Sequence, residues 1–163
     1  AEADPVRVMG RLDALGVLSH LAPGLTWRPE TAAVFQHVAA MADDPIWGET
    51  FRGGPAVFYY FAVWLAPFAA PVPEAVARRL RVRKTTLEDL LGLGELRPAL
   101  AALPDDAPPS AVVAALKGYT PRVLLTARLL AQNPRHAAWL DKYMTTWRPV
   151  RPALSQLSRR KAV

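Results

Sequence analysis

Five cations fall within seven residues of one stretch: Arg78, Arg79, Arg81, Arg83 and Lys84, with Leu80 and Val82 the apolar residues between them. Side chains of this type at this density suit anions. A guanidinium fork matches phosphate geometry two hydrogen bonds at a time and stays charged throughout the ordinary pH range. Such a cluster also repels itself, and so costs folding energy unless something anionic sits near it. The chain's own acids are mostly elsewhere, which makes an external polyanion the natural counter-charge. The competing reading is a solvated helix end, where cations complement the dipole. Arg148, Arg151 and the run Arg159-Arg160-Lys161 are smaller basic groups that would serve as secondary contacts.

Other chemistry is sparse. The chain has no cysteine, which excludes disulfides, thiol catalysis and thiolate metal sites. The three histidines, His20, His37 and His136, lie far apart, and none has a second histidine or a carboxylate at ligand spacing on one helix face. His20, beside Leu18 and Leu21, reads as a structural histidine. Paired acids occur at Asp43-Asp44, Glu88-Asp89 and Asp105-Asp106, but neighbours on a helix point apart, and acids beside a proline read as solvated loop. Gly92-x-Gly94-x-x-Arg97 lacks a third glycine and follows no strand, so it is not a phosphate-cradling loop. The expectation is a chain with no catalytic residue, metal site or cofactor of its own.

The 163 residues are 52% hydrophobic and 21% charged, a globular composition long enough to bury a core. Residues 1–75 carry four cations against eight acids, a net −4, while residues 76–163 carry sixteen against six, a net +10. The basic character thus belongs to the second half, as expected of a half that meets nucleic acid or another anionic surface. The longest apolar stretch, Pro55 to Pro73, is interrupted by Pro67 and Pro71. Its unbroken part, Ala56 to Ala66, is short of the roughly 20 residues that cross a bilayer, so it reads as a core helix. No secretory signal is visible, and with no thiols the simplest expectation is a cytoplasmic chain. A start at Ala1 without methionine fits a fragment or a processed product.

The elements that would carry these residues read as helices. Asp4-Pro5 is an N-cap followed by proline at the first helical position, and Gly16 is the stop. Pro29 opens a second helix that ends at Asp43-Asp44-Pro45, and Ile46 to Gly54 reads as a loop containing a short turn. The helix from Pro55 to Ala66 is apolar nearly all round and is expected at the centre of a core. Pro73-Glu74 opens a helix that runs into the basic cluster. Thr85-x-x-Glu88 has the form of a capping box that starts the next helix, Gly92 and Gly94 break or bend that helix, and Pro98 begins a further piece, Ala99 to Leu103. Pro104 to Pro109 is the clearest linker. Ser110 caps Ala111 to Leu116, Thr120-Pro121 opens Arg122 to Ala131, and Asn133-Pro134 opens Arg135 to Thr146. No β alternation is convincing. The fold expected is all-α, an irregular array of about eight to ten short helices in one or two subdomains. The division falls at 1–72 and 73–163, with a linker at 104–109.

Several of these stretches resemble the region that follows the catalytic part in the tRNA nucleotidyltransferase (CCA-adding enzyme) and poly(A) polymerase family. The run DPVRVMGRLDALGVLSHLAPGL, Asp4 to Leu25, is similar to that family's helix ending in leucine-glycine and two apolar residues, here Leu15-Gly16-Val17-Leu18, with Pro23 a few positions on. VARRLRVRK, Val76 to Lys84, resembles the basic opening of its C-terminal helical region. Pro109 to Leu116 and WLDKYMTTWRPVRP, Trp139 to Pro152, look like its later helices, with an arginine-proline signature at Arg151-Pro152. The resemblance covers roughly residues 4–154. The family's glycine-rich turn and acid-x-acid metal motif are missing, and after Pro152 the chain departs from its pattern. What the resemblance implies is a detached neck, body and tail, or a headless relative. Such a region holds tRNA by backbone and shape, while a catalytic head, in cis or in trans, adds nucleotides with a divalent metal and nucleoside triphosphates. An enzymatic whole therefore stays open, as a nucleotidyltransferase of which this is a fragment.

The expectation is an RNA-binding module for RNA of the tRNA type, with no membrane partner, which docks phosphates on Arg78, Arg79, Arg81, Arg83 and Lys84. The first alternative is an all-helical protein-interaction scaffold with an apolar groove, for which a +10 half would have no use. The second is a helix-turn-helix DNA binder over Val76 to Leu96, against which the two glycines in the recognition helix argue.

Overall fold

A computed structural model of the chain describes residues 4–148. They form an all-α array: α1 (Pro5–Ala14), α2 (Val17–Leu21), α3 (Pro29–Ala40), α4 (Gly48–Arg52), α5 (Ala56–Leu65), α6 (Pro71–Arg79), α7 (Lys84–Ala102), α8 (Pro109–Leu116), α9 (Pro121–Leu130) and α10 (Pro134–Lys142). A 3-10 turn, Met41–Asp43, follows α3, and a π-helical turn, Tyr143–Trp147, extends α10. Among the described residues there is no strand.

Local chemistry explains most of the helix starts. Proline occupies the first turn of α1, α3, α6, α8, α9 and α10, where its missing N–H is not needed. The Asp4 side chain accepts from Val6 N at 3.0 Å, Thr120 Oγ1 from Val123 N at 3.4 Å, and Asn133 Oδ1 from Arg135 N at 2.9 Å. Gly16 ends the first helix in the left-handed region at φ 71°, which a glycine adopts at little cost. Asp44 is not merely a solvated acid. Its Oδ1 accepts from Ile46 N and Trp47 N, both at 2.9 Å, and folds the chain into α4. The expected loop Ile46 to Gly54 therefore contains a real helix. Gly48 admits it: a Cβ there would lie 2.8 Å from the backbone oxygen of Ala42.

Four other expectations are corrected by the packing. The sixth helix opens at Pro71, two residues before Pro73-Glu74. No capping box forms at Thr85-x-x-Glu88. Instead α7 starts at Lys84, Arg83 is its N-cap residue, and Glu88 pairs with Lys84 at 3.6 Å. Likewise Ser110 lies inside α8, whose N-cap residue is Pro108. Above all, α7 runs unbroken from Lys84 to Ala102, through Gly92, Gly94 and Pro98. Leu90, Leu93, Leu96 and Leu100 are all buried, and they form one stripe that spans all three breakers. Two glycines and a proline cost about 5 kcal/mol in helix propensity. Burying four leucines returns roughly 6–12 kcal/mol, so the stripe wins. Gly92 also has a packing use, since the Tyr119 ring lies against it, 3.5 Å from where a Cβ would be.

The core is built around α5 and α9. Helix α5 buries Phe58, Tyr59, Ala62, Val63, Trp64 and Leu65, as its all-round apolarity predicts. Helix α9 buries five consecutive residues, Val123 to Ala127, and packs on α3, α4, α5, α7 and α10. Two polar cross-links pin it. Arg122 Nη2 donates to Asp89 Oδ2 at 2.5 Å, while Thr120 Oγ1 donates to Asp89 Oδ1 at 2.8 Å. Arg128 Nε and Trp47 Nε1 both donate to Asp141 Oδ1, at 2.9 and 2.7 Å, which ties the α4 region to α9 and α10.

Candidate nucleic-acid interface

The five clustered cations occupy the corner between α6 and α7. Helix α6 ends in a Schellman motif: Val82 N donates to Ala77 O at 3.0 Å and Arg81 N to Arg78 O at 3.1 Å. This closes the last turn and leaves Leu80 as C-cap. The residue after it must turn left-handed, and that residue is Arg81, at φ 52°. It is the single non-glycine residue with positive φ among those described. Glycine is the usual occupant, and an arginine there costs about 1 kcal/mol in backbone strain. Arg83 then returns to extended backbone, φ −62° and ψ 147°, and Lys84 begins α7. In four residues the chain thus reverses between helices while all five cationic side chains stay exposed.

Two of the five have acidic neighbours. Arg78 lies 3.5 Å from Glu74 and Lys84 3.6 Å from Glu88, both as i,i+4 pairs on open helix surface, where such pairs contribute little. Arg79, Arg81 and Arg83 have no carboxylate within 4.0 Å among the described residues. The first turn of α7 contains no acid, so the positive end of that helix adds to the field rather than cancelling it. Leu80, 47% exposed, sits between the arginines as an apolar spot.

The secondary cations are not all brought to this corner. Arg148 is exposed at the end of the π-helical turn, which packs on α8 and α10. Its Nη1 lies 3.4 Å from the Met144 sulfur. Arg151, Arg159, Arg160 and Lys161, with the Arg151-Pro152 signature, lie outside the described residues.

The rings are mostly spent in the core, as their apolar settings predict: Phe35, Phe58 and Trp64 are buried, and Phe61 is half-buried and packed against them. His20 is exposed, with Nδ1 2.7 Å from Gly16 O, and His37 repeats that geometry on Ala33 O at 2.8 Å. Among the described residues no three histidines or acids converge as a metal site, and no helix is long and apolar enough to cross a membrane.

Sequence reasoning passes over two features. Asp89 reads as half of a solvated pair with Glu88, yet it is 5% exposed and holds Arg122 and Thr120. A signal is present, since Asp89 lies between Leu87 and Leu90 on the apolar face of its helix, and an acid there needs a buried partner. The second is Arg97, whose Nη1 donates to Ala66 O at 2.9 Å beside an apolar cavity. Comparison with family models, with curated proteins and with solved structures found no match.

Proposed function

We propose that the α6–α7 corner docks the phosphate backbone of a structured RNA of the tRNA type, with Arg79, Arg81 and Arg83 as the principal contacts and Arg78 and Lys84 beside them. One observation carries the reading. Three exposed arginines lie within five residues with no carboxylate within 4.0 Å among the described residues, and one of them is kept in a conformation that favours glycine. A solvated helix end needs no such residue at that position. Structured RNA is recognised largely through backbone and shape, so a surface of arginines without stacking rings suffices. On this reading the chain holds RNA, and nucleotide addition belongs to a catalytic head in cis or in trans.

The test is binding of a labelled tRNA, with a duplex DNA of equal length as control, at two salt concentrations. Tighter binding to tRNA with a steep salt dependence is expected. Replacing Arg79 or Arg83 by alanine should lower the salt slope by about one unit for each phosphate no longer neutralised. Arg81→Gly should do the same while raising stability by about 1 kcal/mol, because the backbone strain disappears together with the charge. Salt-independent binding would reject phosphate docking. A collapse of the unfolding midpoint in Arg79→Ala and Arg83→Ala would make these arginines structural.

A further inference from the structure

Toward its other end, α7 forms one wall of a half-open cavity of about 990 Å³, bordered by the end of α5, the α5–α6 connection, and the α9–α10 junction. The size falls within the range of pockets that enclose small organic molecules, and the lining is of the same kind, mostly aliphatic with a few polar groups. Leu91 and Leu130, both half-buried, supply accessible apolar wall, with the buried Leu65, Leu90 and Leu93 behind it, and Gly94 leaves room. The space at Gly94 is real: a Cβ built there meets no atom within 4 Å. Nothing in the fold requires glycine at that position, since α7 is helical there and its φ is ordinary.

Charge selects the occupant. The wall carries Glu74, Glu95, Arg97 and His136, with Gln132 and Asn133. Glu74 faces Arg78 at 3.5 Å, and the charge of Glu95 falls on the Tyr119 hydroxyl, whose pKa it raises beyond the effect of burial. The His136 ring stacks on Trp139, centroids 5.4 Å apart, and Asn133 Oδ1 accepts from Arg135 N. Arg97 has no carboxylate within 4.0 Å among the described residues. One of its nitrogens is engaged by the Ala66 carbonyl, and the remaining guanidinium donors have no partner among the described residues. Partial burial lowers its pKa below the ordinary arginine value, and it stays a cation.

We propose that this cavity binds a monocarboxylate amphiphile, such as a fatty acid, with its carboxylate on Arg97 and its apolar chain against Leu91 and Leu130 and across Gly94. This site is independent of the RNA-binding reading. It uses no residue of the α6–α7 corner cluster.

The experiment is calorimetric titration of the full chain with decanoate, decylamine and decanol, each below its micelle-forming concentration, with circular dichroism as a check on the fold. Decanoate should bind about tenfold more tightly than decylamine or decanol, the gain of one charge-assisted contact. Arg97→Gln should bring decanoate down to the decanol level and leave decanol unchanged. Gly94→Leu should abolish binding of decanoate and decanol while keeping or raising the unfolding midpoint. Ala101→Leu, also on the wall, is the second blocking variant should the first not fold. Equal affinity for all three probes, decanoate binding undiminished in a folded blocking variant, or no binding by the folded chain would each overturn the proposal.

Discussion

Tyr59 has no exposed surface, and its hydroxyl donates to Thr50 O at 3.3 Å. Burial pushes its pKa up to about 12 from an ordinary 10.0; nearby Arg122 pulls it down and Asp89 pushes it up, both more weakly. The folded state therefore prefers the neutral phenol. Above pH 10 the unfolded chain releases this proton first, so stability present below that pH is lost as pH rises through about 12. The loss over that window is on the order of 2–3 kcal/mol. Tyr119 is shifted in the same direction and adds to the decline. Chemical-denaturant titrations at several alkaline pH values should therefore give a shallower fall for Tyr59→Phe than for the parent chain. Coincident slopes would mean that Tyr59 ionises without unfolding. At this scale the sequence is half legible. The exposed cations are evident from type and density, because the few acids near them in sequence cannot neutralise five charges. The left-handed Arg81 and the buried Asp89–Arg122 pair are not. The first follows from how α6 terminates, and the second from a partner 33 residues away.

Helix boundaries are legible where their causes are local. The Asp4-Pro5, Thr120-Pro121 and Asn133-Pro134 starts need only a cap oxygen and a proline within two residues. The continuity of α7 is illegible because its cause is tertiary: four leucines buried by neighbouring helices override two glycines and a proline. This also removes the glycine argument against a helix-turn-helix over α6 and α7. The same burial makes most of α7 a wall of the core, with Leu90, Leu93, Leu96 and Leu100 facing inward. Two helical glycines should then respond oppositely to alanine. At Gly94 a methyl group meets nothing within 4 Å, and Gly94→Ala should stabilise by about 1 kcal/mol through helix propensity alone. At Gly48 the methyl would be 2.8 Å from the Ala42 oxygen and 3.0 Å from Arg52 Nη1, and the backbone cannot yield cheaply. Gly48→Ala should destabilise by about 1–3 kcal/mol. Unfolding midpoints in urea measure both, and equal signs would show that neighbouring space does not govern these helices.

The whole molecule sets a charge division against a shared core. The net −4 of residues 1–75 and +10 of residues 76–163 separate the chain electrostatically near residue 75. The buried residues do not separate there. One apolar cluster runs from Leu18 to Tyr143, and α9 of the basic half packs on α3, α4 and α5 of the acidic half. The Trp47 indole reaches across 94 residues to Asp141, whose carboxylate also holds Arg128. Binding and folding thus follow different partitions of one chain, so the basic half is not expected to be a stable ligand-binding piece when cut away. The corresponding prediction is a single cooperative transition. Tryptophan fluorescence, which reports on both halves through Trp27, Trp47, Trp64, Trp139 and Trp147, should share its midpoint with the helical signal, in the parent chain and in Trp47→Phe alike. Trp47→Phe removes the indole hydrogen bond to Asp141, so its common midpoint should fall, by about 1–3 kcal/mol in stability, without splitting. Resolved midpoints for the helical and tryptophan signals in that variant would mean that this one link, and not the apolar cluster, couples the halves.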